Sequence, residues 1–123
     1  MNYHEQIKAI IAELMPSFDI LGIYAFQGVG DPSSVVKAFV NAYEGYQKAR
    51  VLTKENFGSS EVDLDEGQTL CDPMGGKFGE DNPQMDAAYH MAKQMGMLPP
   101  PLMSMLPDFI MEMNHFFIAA QNS

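Results

Sequence analysis

Eight of the eleven methionines fall between Met85 and Met113, six of them as Met-x-Met pairs: Met95/Met97, Met103/Met105 and Met111/Met113. Thioethers are soft ligands suited to Cu(I), and His90 and His115 stand in the same stretch. Helical geometry argues against chelation by such pairs, because residues two apart on a helix point roughly 200° apart. A helix over the last segment puts Met111 on a side with His115 and Met113 with Phe109, Phe116 and Phe117. Methionine also fills irregular cores and lines adaptable binding surfaces. These two readings are preferred, and no metal is assigned.

The acids of "EVDLDEG" (61–67) are hard oxygen ligands at tight spacing. An EF-hand loop needs glycine at position 6 and a bidentate acid at position 12. Counting from Asp63 puts Gly67 at position 5 and Met74 at position 12, so the register fails. The stretch reads as a solvated acidic loop.

"FQGVGDPSS" (26–34) joins an apolar run, a GxG and a helix start, the recipe for a phosphate on free backbone N–H groups. The third glycine of GxGxxG falls at Ser33, and Asp31 would set a carboxylate where the phosphate should lie. A capped helix after a turn explains the same residues. "GGKF" (75–78) fails as a Walker loop, with Cys71 at the first glycine position and Phe78 at the Ser/Thr. Cys71 could meet His4, His90 or His115 in a fold, but neighbouring Asp72 raises a thiol pKa rather than lowering it. Lys8 occupies the second histidine position of a zincin motif begun at His4. No catalytic residue, metal or cofactor is therefore assigned, and the expectation is a protein that is not an enzyme.

Composition narrows the partner. The chain has 123 residues and a net charge of −9, one domain's worth of core. Residues 58–123 hold ten acids against Lys77 and Lys93, and so carry eight units of the excess. Phosphate backbones and anionic membranes require bases that this chain lacks. A basic protein surface is the partner such a field attracts. With Cys71 alone, no intramolecular disulfide can form. The N-terminus lacks a secretory pattern, and the apolar runs read as shorter than the ~20 residues that span a bilayer. A cytoplasmic protein is expected.

The elements that must position these residues are mostly helices. Ile7, Ile10, Ile11 and Leu14 predict a helix over 2–15, capped by Asn2 and ended by Pro16. Residues 18–26 fit either a buried strand or a short buried helix. Asp31 and Pro32 start a helix over 32–51. Residues 53–82 break the helical pattern, as an acidic loop or with a hairpin within 60–70. Asn82 and Pro83 start a helix to residue 95, stopped by Gly96. Pro99, Pro100 and Pro101 force an extended turn, and a last helix spans 107–121. That helix has apolar residues nearly all round, so it must be central in the core or covered by another subunit.

The expected fold is mainly α: four helices around one core in a single domain, with 53–82 as an acidic insertion. The alternative is α+β, with 19–26 pairing to a strand within 60–70. The expected function is a small acidic inhibitor, adaptor or chaperone-like factor, a composition also met in phage-encoded inhibitors. It would engage a basic protein surface through Glu61, Asp63, Asp65, Glu66, Asp72, Glu80 and Asp81. Direct nucleic-acid binding and a membrane are not expected. A structural component that self-associates as a homodimer through Met103, Met111 and Phe117 is the second reading, and a metal or small-ligand binder the third.

Overall fold

The computed structural model describes residues 2–64 and 76–122. The fold is mainly α: α1 (Tyr3–Gln27), α2 (Pro32–Phe57), α3 (Pro83–Met95), a single turn α4 (Pro100–Met103) and α5 (Leu106–Gln121). A two-stranded ladder, β1 (Val62–Leu64) and β2 (Gly76–Phe78), stands between α2 and α3.

The starts of the three long helices follow from their caps. Asn2, Asp31 and Asn82 each accept a backbone N–H three residues on, from Glu5, Ser34 and Met85. The ends differ from expectation. α1 runs through Pro16 to Gln27, so residues 18–26 are helix and not strand. Pro16 leaves the Ala12 carbonyl without its intrahelical donor. Both residues are exposed, so water can satisfy that carbonyl. The buried stripe continues meanwhile from Ile7 and Leu14 to Leu21. α2 likewise extends six residues beyond 51, because Thr53 is a buried contact. Its hydroxyl donates to the Ala49 carbonyl at 2.8 Å, so the Tyr3 hydroxyl, 2.9 Å away, donates to Thr53.

This bond ties the start of α1 to the end of α2, while Leu14 packs on Gly45 midway, so the helices run antiparallel. A Cβ on Gly45 would overlap the Leu14 side chain. Glycine weakens a helix by about 1 kcal/mol, and here it permits close helix contact. α5 packs against α1, α2 and both strands. Phe109, Met113 and Phe116 are completely buried along it, each contributing on the order of 1.5–3 kcal/mol by leaving water. Aromatic edges lock it in place: Phe18 on Phe117 at 6.0 Å and Tyr46 on Phe116 at 5.2 Å. The three prolines form no wholly extended turn. Pro99 is extended, and Pro100 and Pro101 open α4, positions where a missing N–H costs nothing.

The antiparallel ladder pairs Val62 with Phe78, Asp63 with Lys77 and Leu64 with Gly76. Its second strand thus lies beyond 60–70, and neither strand pairs with 19–26. Val62 is buried and joins the same core as α5.

Candidate functional site

The acidic edge rests on this ladder. Glu61, Asp63, Glu80 and Asp81 are all exposed. Asp65, Glu66 and Asp72 lie outside the described residues, as does Cys71. The edge is held to α2 by Arg50, which is nine-tenths buried. Its Nε donates to the Gly79 carbonyl at 2.9 Å and Nη1 to Gln47 at 3.1 Å. Its Nη2 reaches Asp81 at 2.7 Å and, less closely, Ser60 at 3.4 Å. The guanidinium also lies 5.6 Å from the Tyr46 ring centroid. This hydrogen bond, and then the positive charge, hold the Asp81 carboxyl below the usual carboxylate range. Asp81 is therefore an exposed acid already paired with Arg50 of its own chain, which offsets part of its charge.

Gly79 makes the clamp possible. Its φ is +96°, and a Cβ there would overlap the Ser60 carbonyl and the Phe116 ring. Arg50 was not singled out in the sequence. The signal was present: it is the one charged residue on the buried stripe Tyr43, Tyr46, Ala49, Arg50, Thr53.

Beside the clamp are two open grooves that share Tyr43, Gln47 and Tyr89: one of about 520 Å³ between α2 and the start of α3, and one of about 560 Å³ where Glu13, Leu14 and Ser17 of α1 flank α2. The Tyr43 and Tyr89 rings stack at 4.5 Å. Tyr43 donates to Asp86 at 2.8 Å, and Tyr89 donates to Glu44 at 2.8 Å. Lys93 reaches Glu44 at 3.0 Å. The Tyr89 and Lys93 hydrogen bonds lower the Glu44 pKa. Burial, then the bond to Asp86, pushes the Tyr43 hydroxyl well up, so it stays protonated and is no base near neutrality. Around Tyr89 the polar groups pair with one another: Glu44 accepts from Tyr89 and Lys93, and Asp86 from Tyr43. Among the described residues no group of three His, Cys, Asp or Glu side chains could hold a metal.

The residues expected to self-associate are dispersed. Phe117 is buried in its own core, Met103 is half-buried, and Met111 is exposed. Phe117 is thus corrected to a core residue. Helical geometry separates Met111 from the fully buried Met113 as expected. The scarcity of polar face on α5 is met mainly by α1, α2 and the ladder of the same chain.

The apolar surface left over lies elsewhere. Met15, Ile20, Ile23 and Phe26 are exposed on α1, and Val29 follows in the turn to α2. By length and composition α1 is long and apolar enough to cross a membrane, contrary to the reading of short apolar runs. Only 17% of that apolar window is buried inside the fold; Ile7, Leu14 and Leu21 are in the core and Ile10, Ile11 and Phe18 pack against it, whereas Met15, Ile20, Ile23 and Phe26 are left outside.

No family model, curated protein or solved structure matches the chain.

Proposed function

We propose that the chain is a small non-enzymatic interaction protein whose acidic edge engages a basic surface on another protein. The observation that carries this reading is the exposure of Asp63, Glu80 and Asp81 together on an edge fixed to the core. Side chains presented on a fixed backbone lose less conformational freedom on binding than those of a floppy tail. Their charge speeds encounter and makes it sensitive to salt. Arg50 offsets part of the Asp81 charge, so Glu80 is a stronger electrostatic contributor than Asp81.

The test is capture of partners from a lysate by the wild-type chain and by the variant Asp63→Asn/Glu80→Gln, at low and high salt. A defined protein should be retained by the wild type at low salt only, and lost by the variant. Retention that ignores both salt and the substitutions would overturn the reading, as would failure to retain any protein.

A further inference from the structure

We propose that the outer face of α1 docks an amphipathic helix of a partner protein that carries lysine or arginine within or beside its apolar stripe. Met15, Ile20, Ile23 and Phe26 are 38–63% exposed. With 3.6 residues per turn they sweep about 140° of the helix surface. Asp19 lies inside that sweep, between Met15 and Phe26 on one side and Ile23 and Ile20 on the other. A large exposed apolar patch marks a contact surface, and its charges decide the kind of partner.

Asp19 is exposed, and no hydrogen bond or ion pair holds it among the described residues. Covering this face takes a carboxylate out of water, which is unfavourable unless a cation meets it. Its own helix and the turn that follows offer none within ten residues. From Lys8 to Lys37 there is no lysine or arginine, whereas Glu13, Asp19 and Asp31 all fall between them. A bilayer provides no counter-charge at hydrocarbon depth. A second copy is also disfavoured. A two-fold contact sets the same face on itself, and one centred near Ile20 brings the two Asp19 carboxylates together. A helix with an apolar stripe and a cation in reach of Asp19 satisfies both demands. The residues of this face differ from those of the acidic edge, so the inference stands whether or not that edge binds anything.

The probe is a synthetic helical peptide of leucine and lysine, with leucine at i, i+3, i+4, i+7 and one lysine inside the stripe. A leucine/glutamate peptide of the same pattern is the control. Fluorescence anisotropy with the full chain at physiological salt should show binding of the lysine peptide only. The variant Ile23→Ser/Phe26→Ser keeps the net charge, yet should weaken binding about tenfold or more, as loss of central apolar anchors does. Asp19→Asn should weaken it as well, and Asp63→Asn/Glu80→Gln should leave it unchanged. Circular dichroism and thermal melts establish that each variant is folded. Binding that ignores the serine substitutions would overturn the proposal, as would equal binding of the glutamate peptide. So would partition into phosphatidylcholine vesicles, or a concentration-dependent dimer, that the serine variant abolishes.

Discussion

Replacing Arg50 with methionine tests whether this buried cation organises the acidic edge. Methionine keeps an unbranched stem against Tyr46 but removes every donor. The Gly79 carbonyl, on a buried glycine, then loses its partner at 2.9 Å. Leaving a buried acceptor unsatisfied costs about 1–3 kcal/mol. Loss of the cation over the Tyr46 ring adds about 0.5–2 kcal/mol. The contact to Asp81 is screened by water, because that carboxylate is exposed, and adds only a small contribution. The expected loss is about 2–4 kcal/mol, which lowers the Tm by on the order of 10 °C in a domain of this size. Arg50→Lys should fall between the two, since an ammonium is a point donor without the guanidinium fork. Urea denaturation gives the free energy directly. Acid titration provides a second readout. The folded pKa of Asp81 lies below its unfolded value. Its contribution is therefore present above the unfolded value and lost as pH falls through the folded one. The wild type should lose stability below about pH 4 in a step that Arg50→Met lacks. A methionine variant within about 1 kcal/mol of wild type, with an unchanged acid profile, would refute the clamp.

Two further substitutions probe the same region. Gly79→Ala should cost at least about 2 kcal/mol by urea denaturation, because φ is +96° and the added Cβ overlaps the Ser60 carbonyl and Phe116; amide exchange in β1 and β2 should rise first. Tyr46→Phe should stabilise by about 1 kcal/mol, since the buried Tyr46 hydroxyl has no hydrogen-bond partner among the described residues. Burial pushes that hydroxyl up to about 12, so its contribution is present below its ordinary range near 10 and lost as pH rises through about 12; the phenylalanine variant should lack this alkaline loss.

What was legible in the sequence was local. The caps at Asn2, Asp31 and Asn82 act within three residues, so each helix start could be placed without tertiary knowledge. The separation of Met111 from Met113 needed only the helical period. The misreadings concern competition between local and long-range terms. Pro16 disfavours helix locally, yet Ile7, Leu14 and Leu21 continue one buried face across it, and burial outweighs one missing hydrogen bond. A heptad-spaced apolar series spanning a proline was the available signal. The pairing of 62–64 with 76–78 was hidden because three-residue strands carry almost no periodicity. Arg50 appeared as one more base, since its role depends on acceptors 10–31 residues away.

The two surfaces proposed for binding make convergent demands on a partner. Arg50 and Lys93 each meet an acid, Asp81 and Glu44, so these two internal pairings cancel two charges of each sign and leave the net −9 unchanged. The uncompensated acids remain on the surface, and the uncovered hydrocarbon lies on α1 around one of them, Asp19. A purely polar cationic surface would satisfy the acidic edge but leave α1 bare. A purely apolar helix would cover α1 but strand Asp19. If one partner serves both surfaces, it must combine cations with an apolar stripe, and the two contributions separate kinetically. Asp63 and Glu80 act at a distance, so neutralising them should slow association and reduce its salt dependence. Ile23 and Phe26 act only on contact, so serine there should chiefly speed dissociation.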